Sequence, residues 1–152
     1  MSLKEEVDLL RNIPLFAKVD PSKLKLLAFA SDRLTFAAGQ ELFRQGDPAD
    51  AAYIIIDGDA EVLVDAPGGP VGVAQLGKND IVGEIAILCD VPRTATVKAL
   101  GAVTALVVSK DLFFQMVSEY PQIGVEVMRE LARRLERTTA QLREAVSARA
   151  GK

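Results

Sequence analysis

Three observations predict a mainly β protein with helices at both ends, its centre an antiparallel β-roll of about eight strands, jelly-roll-like in kind. Between Asp32 and Val108, short apolar runs alternate with turns rich in Gly, Asp and Pro, a spacing that suits a sandwich or barrel rather than βαβ units. On either side of that segment, apolar residues recur three and four apart, which is the helical period. Hydrophobic residues make up 49% of the 152, yet no unbroken apolar run reaches membrane-spanning length, so one domain with a real core is expected and a membrane span is not.

Residues 1–31 are expected to form a helical cover. Leu3, Val7 and Leu10 with Leu9 make a stripe that ends at Asn12-Ile13-Pro14. Asp20-Pro21 combines an N-cap residue with a proline at the first helical position, and Leu24, Leu27 and Ala28 then share one face.

Residues 32–108 are expected to form the β-roll. Arg33–Phe36 runs to a turn at Gly39, and Glu41–Arg44 to Gly46-Asp47-Pro48. Ala52–Ile56 is followed by Asp57-Gly58-Asp59, a hairpin signal of the Asp-Gly type. Ala60–Val64 alternates and ends at Pro67-Gly68-Gly69-Pro70, after which Val71–Leu76, Ile81-Val82, Thr94–Leu100 and Val103–Val108 complete the set.

Residues 109–152 return to helix. Ser109 suits an N-cap for a short helix through about Ser118, Tyr120-Pro121 breaks it, and a second helix of about 45 Å runs from Pro121 to about Ala150. In that helix Met128, Leu131, Leu135, Thr138, Leu142 and Ala145 recur at alternating spacings of three and four, a coiled-coil seam. The seam predicts a homodimer through residues 121–150, against the plainer alternative of a helix lying on its own β domain.

Composition narrows the chemistry. Histidine is absent, which removes His-assisted nucleophiles and His-containing metal sites, so neither an enzyme nor a metal or cofactor is expected. Net charge is −3 with both signs interspersed, no field for nucleic acid. Cys89 is the one cysteine, and the N-terminus is charged without the apolar core of a signal peptide, which together predict a reducing cytoplasm. The apolar flank Ile87-Leu88 predicts that Cys89 is packed like a small hydrophobe.

Residues 82–97 concentrate the remaining chemistry. Gly83 permits a tight turn and close approach of a ligand, and the N–H groups of Ile85 and Ala86 open a short helix where an anion is favoured. Arg93 lies in an apolar strand pattern and needs a partner: a phosphate, or more plainly a salt bridge to Glu84 or exposure at an edge. Glu84 disfavours an anion and suits a sugar 2′-hydroxyl, while Thr94 adds an adaptable hydroxyl. Arginine and amides for a phosphate, a carboxylate for a ribose and apolar walls for a base describe a cyclic nucleotide pocket.

Gly83-Glu84-Ile85-Ala86-Ile87-Leu88 followed by Pro92-Arg93-Thr94-Ala95-Thr96-Val97 resembles the phosphate-binding cassette of cyclic nucleotide-binding domains, as in protein kinase A regulatory subunits and the catabolite activator family. The resemblance implies that Glu84 binds the ribose 2′-hydroxyl, and that Arg93 with the amides near Ile85, Ala86 and Thr94 holds the cyclic phosphate. It places Gly83 and Ala95 in the same cassette and makes Val62, Val73, Leu76 and Val82 apolar pocket positions. Ala132-Arg133-Arg134-Leu135 with Thr138-Thr139 is similar to the catabolite activator dimer helix. That match makes Arg134 a pocket residue and Thr138 and Thr139 base contacts, one of them from the partner chain. Thr94 after the cassette arginine is similar to cGMP-preferring members, while the hydroxyl pair favours cAMP; cAMP is the expected ligand and cGMP the alternative. Catabolite activators continue into a DNA-binding domain, for which no residues remain here, so DNA binding is not expected of the chain as it stands. The implied function is a cyclic nucleotide sensor signalling through its last helix to an effector protein or its twin. The alternative is the sensing part of a longer transcription factor or other effector.

Overall fold

The computed structural model describes residues 3–13 and 16–150. Helices α1 (Leu3–Arg11) and α2 (Pro21–Ala30) lead into strands β1 (Asp32–Phe36), β2 (Glu41–Phe43), β3 (Ala51–Asp57), β4 (Ala60–Ala66), β5 (Gly69–Leu76) and β6 (Ile81–Val82). The short helix α3 (Glu84–Cys89) precedes β7 (Thr96–Ala99) and β8 (Val103–Ser109), and α4 (Lys110–Glu119) and α5 (Pro121–Ala150) follow. Ser2, Pro14 and Gly151-Lys152, each read as part of an element or its end, lie outside the described residues.

The strands form two four-stranded antiparallel sheets, ordered β1-β8-β3-β6 and β2-β7-β4-β5. The mainly β roll with flanking helices and a long final helix is therefore the fold. Ile54-Ile55-Ile56 reads as a continuous apolar run because β3 is covered on both faces. Ile54 and Ile56 pack with Leu24, Leu27, Phe113, Ile123 and Val127 of the helices. Ile55 packs between the sheets with Ala60, Val82, Val97 and Val103. Helices from both ends of the chain thus share one apolar layer on the back of the first sheet. The expected caps form: Asp20 accepts from the Ser22 amide at 3.0 Å and Ser109 from the Leu112 amide at 3.2 Å.

Three expectations are corrected. Asp57-Gly58-Asp59 is no hairpin, since β3 and β4 belong to different sheets. Gly58 has φ +92° and a side chain there would run into the Ala102 carbonyl, so the glycine serves a crossing between sheets. The strand expected from Thr94 starts at Thr96, because the Arg93 backbone bonds the turn before it instead: its N–H donates to Asp47 O and its carbonyl accepts from Gly46 N. Cys89 is exposed rather than packed, since α3 turns Glu84, Ala86 and Ile87 inward and leaves its last residue outside. No helix among the described residues is long and apolar enough to cross a membrane.

Candidate ligand-binding site

A cavity of about 880 Å³ opens between the second sheet, α3 and the middle of α5. Its floor is set by Arg93, which is 3% exposed and has no carboxylate partner among the described residues. One terminal nitrogen, Nη1, donates to the Gly83 carbonyl at 2.8 Å, and Nη2 donates to the Ala51 carbonyl at 2.6 Å. The guanidinium carbon lies 4.1 Å from the centre of the Phe43 ring and 5.9 Å from that of Tyr53, so two aromatic faces carry part of the charge. Nε is buried without a partner. Burial pulls the Arg93 guanidinium below its ordinary value, and the charges of Tyr53, Asp50, Asp47 and Glu84 oppose that pull.

Gly83 caps α3 with φ +89°, a conformation that favours glycine. A Cβ there would lie 2.6 Å from Arg93 Nη1, so the guanidinium can reach the Gly83 carbonyl only past a bare Cα. The next residue, Glu84, is 1% exposed. The plainer reading of the sequence paired it with Arg93; the structure pairs it with Arg134 of α5. Arg134 Nη1 donates to Glu84 Oε1 at 2.9 Å, and Nη2 donates to the Ile81 carbonyl at 2.8 Å. Glu84 Oε2 is buried without a partner. Burial pushes the Glu84 carboxyl up, and the Arg134 charge, the largest opposing influence, does not cancel that push.

On the helix side, Glu130 holds a cluster of arginines: Arg133 Nη2 at 2.9 Å, Arg134 Nε at 3.5 Å and Arg137 Nη2 at 3.9 Å. These guanidiniums hold its carboxyl below the ordinary value although burial acts the other way as the largest single influence. The helix therefore presents a positive face to the cavity, with the acid that orients it on the same helix.

Of the residues singled out from sequence, the cassette members Gly83, Glu84, Ile85, Ala86, Arg93, Thr94 and Ala95 line this one cavity. The apolar positions Val62, Val73, Leu76 and Val82 line it too, as do Arg134 and Thr138. Thr139 does not; it lies about 140° around α5 from Arg134 at 3.6 residues per turn, half-buried on another face. Phe43, Gln75, Glu130, Arg137 and Gln141 are among the remaining lining residues, none of them marked as a site residue by the sequence. The helical spacing from Arg134 to Arg137, Thr138 and Gln141 was a usable signal for the last group. Nothing local marks Phe43, which meets Arg93 across fifty residues of chain.

Residues 33–120 match the cyclic nucleotide-binding domain family. The chain belongs to that family. It is similar to the CRP-like cAMP-activated global transcriptional regulator of Mycobacterium tuberculosis, with 30% identity over 140 residues, 91% of this chain and 62% of that one. It therefore spans about three fifths of that relative. Among solved structures it resembles the Thermus thermophilus catabolite activator protein, with TM-score 0.76 and 25% identity over 85% of this chain and 61% of that one. The regulatory domain of Toxoplasma gondii PKA, solved with cAMP, shares the fold with TM-score 0.76 and 22% identity over 86% of this chain and 50% of that one. Cyclic nucleotide-binding domains of this kind occur in CRP-like regulators and in cAMP-dependent protein kinase regulatory subunits.

Glu84 supplies a test of the local electrostatics. Its folded value lies above its unfolded one, so the ionised form costs stability at neutral pH and the cost is relieved as pH falls through the folded value. Carboxyl NMR should find Glu84 titrating above the ordinary glutamate range, and Arg134→Ala should move it higher still by removing the facing charge. A Glu84 that titrates at the ordinary value, or one indifferent to Arg134→Ala, would contradict the pairing.

Proposed function

We propose that this cavity binds a cyclic nucleotide, cAMP in preference to cGMP, and that the chain is a sensor reporting the ligand through α5. One observation carries the reading: two buried polar atoms of opposite character, Arg93 Nε and Glu84 Oε2, stand without partners in residues that line a single cavity. Buried orphan atoms of this kind ask for a partner from outside the chain. A donor with no acceptor suits a phosphate oxygen, and an acceptor with no donor suits a ribose hydroxyl.

The roles follow from the placement. Arg93 spends two N–H groups on carbonyls and keeps the rest of its fork for the cyclic phosphate, helped by the amides of Ile85 and Ala86 at the start of α3. Glu84 Oε2 takes the ribose 2′-hydroxyl. Val62, Val73, Leu76 and Val82 flank the base, with Thr94, Ala95 and Arg134 at the edges of the cassette. Thr138 accepts from the adenine amino group, and Thr139 faces away, free to serve the site of a second copy. The cAMP-activated relative from Mycobacterium tuberculosis supports the choice of cAMP.

Signalling is proposed to pass from α3 to α5 by two links. Ile87, buried three residues after Glu84 on α3, belongs to the apolar layer that contains Phe113, Met116, Ile123 and Val127. Glu84 itself is bonded to Arg134. A ligand shifts two states only by its differential affinity for them, and contacts from α5 exist only when that helix closes on the cavity. The exposed stripe Met128, Leu135, Leu142 and Val146 is proposed to pair with a second copy, giving a homodimer through residues 121–150. A second reading, the sensing part of a longer effector, is favoured by the share of the relatives that this chain spans. Translation of the gene beyond Lys152 would decide for it.

Calorimetry should find cAMP bound more tightly than cGMP. Arg93→Leu should lose affinity on the order of a hundredfold, since a charge-assisted pair to phosphate is worth about 3 kcal/mol. Arg93→Lys, which keeps the charge and loses the fork, should fall between. Retained affinity in Arg93→Leu would move the phosphate elsewhere. Hydrogen exchange in residues 121–150 should slow when cAMP binds, and unchanged exchange there would refute the coupling. Sedimentation should give a dimer that Leu135→Glu dissociates; a monomeric parent would end the pairing proposal.

A further inference from the structure

Resting on the reading of the cavity as a cyclic nucleotide site, we infer that the base is chosen by two residues one turn apart on α5, Gln141 for adenine and Arg137 for guanine. Arg134, Arg137, Thr138 and Gln141 recur three and four apart and all line the cavity, so they form one face of the helix. Arg134 marks its cassette end through the bond to Glu84. Gln141 lies about 10 Å further along the axis at 1.5 Å per residue, beyond the ribose and phosphate groups and where a base would emerge.

The hydrogen bonds already made divide these residues. Thr138 Oγ1 donates its one hydrogen to the Arg134 carbonyl at 3.0 Å, so only acceptor capacity remains. A lone acceptor meets an adenine N6 amino group and a guanine N2 amino group alike, and cannot choose between them. The Gln141 side chain makes no hydrogen bond to other described residues, and its amide offers a donor and an acceptor side by side. Adenine presents the matching pair on its N7–N6 edge, an acceptor next to a donor. Arg137 offers donors alone. Its side chain is 69% exposed and, among the described residues, is tethered by Glu130 alone at 3.9 Å, which leaves it free to turn. Guanine presents two acceptors, N7 and O6, on the corresponding edge, which suit a guanidinium and not an amide. The facing wall from β4 and β5 contributes Val62, Gly72, Val73, Ala74 and Leu76, whose side chains cannot read an edge, and one side-chain amide, Gln75.

The test is calorimetry on the full chain with cAMP and with cGMP, for the parent, Gln141→Ala and Arg137→Ala. Both positions are exposed on the helix, so folding should survive, which far-ultraviolet circular dichroism would check. Gln141→Ala should weaken cAMP about tenfold and leave cGMP within about twofold, and Arg137→Ala should do the reverse, the scale being that of one bidentate base contact. The cAMP to cGMP ratio therefore moves in opposite directions in the two variants. Equal losses for both nucleotides, or a ratio that moves with Gln75→Ala or Thr139→Ala but not with Gln141→Ala, would overturn the assignment while leaving the site itself standing. A parent chain that binds neither nucleotide would overturn the site reading and this inference with it.

Discussion

The burial of the Arg93 charge without a carboxylate beside it is the constraint around which the site is arranged. Taking a guanidinium out of water costs several kcal/mol unless other groups replace the solvent. Here the replacement is distributed: two main-chain carbonyls, Gly83 O and Ala51 O, and the faces of Phe43 and Tyr53. A carboxylate in direct contact would have neutralised the site and closed it to an anion. Carbonyls and rings hold the cation in place while leaving its charge available. The same constraint explains Gly83, because a Cβ there would sit 2.6 Å from Nη1. It also explains the late start of β7, since Arg93's own backbone is bonded to the Gly46-Asp47 turn rather than to a strand.

Much of this was legible in the sequence, and the reason is locality. The cassette is two short segments, and the residue types in them carry their chemistry openly: a glycine before a carboxylate, then a guanidinium after a proline. Strand positions and the two N-caps, Asp20 and Ser109, are likewise set by neighbours a few residues apart. What could not be read were relations across long separations. Asp57-Gly58-Asp59 has the composition of a hairpin, yet which sheet the next strand joins depends on its pairing with β5 and β7, both of them later in the chain. Glu84 and Arg134 are fifty residues apart. Sequence placed both in the pocket but offered Arg93 as the nearer partner for Glu84, because local spacing says nothing about which cation arrives from a distant helix. Cys89 was misjudged for a smaller reason: its apolar neighbour Ile87 is buried, but on a helix of six residues the inward face is used up before the last one.

The outer half of α5 is legible in a different sense. Ile123 and Val127 are buried and Leu131 is packed against the same layer, after which the helix runs on with Leu135, Leu142 and Val146 uncovered. The seam pattern is thus a composite. Leu131 packs on the domain's own core, Thr138 lines the cavity, and Met128, Leu135 and Leu142 are uncovered. The polar residues on the adjoining face, from Glu130 to Gln141, turn toward the cavity. One helix therefore carries an anchoring stripe, a ligand-facing stripe and an unpartnered apolar stripe, each at helical period and each offset from the others around the axis.

Glu84 is where these stripes meet the cassette, and its two oxygens decide what kind of coupling is possible. Oε1 is taken by Arg134, and Oε2 is buried without a partner among the described residues. If both demands fell on one oxygen, a ribose hydroxyl would have to displace the helix, and ligand and α5 would compete. With one oxygen each, they need not. Burial raises the carboxyl because the ionised form is short of partners, and each partner that arrives, the Arg134 guanidinium or a hydroxyl on Oε2, favours that same ionised form. On the proposed reading Glu84 can hold both at once, and whatever coupling results is reciprocal: a ligand that tightens α5 is itself tightened by a docked α5 by the same factor. On the proposed reading, the direction of the signal is closure of α5 rather than its release.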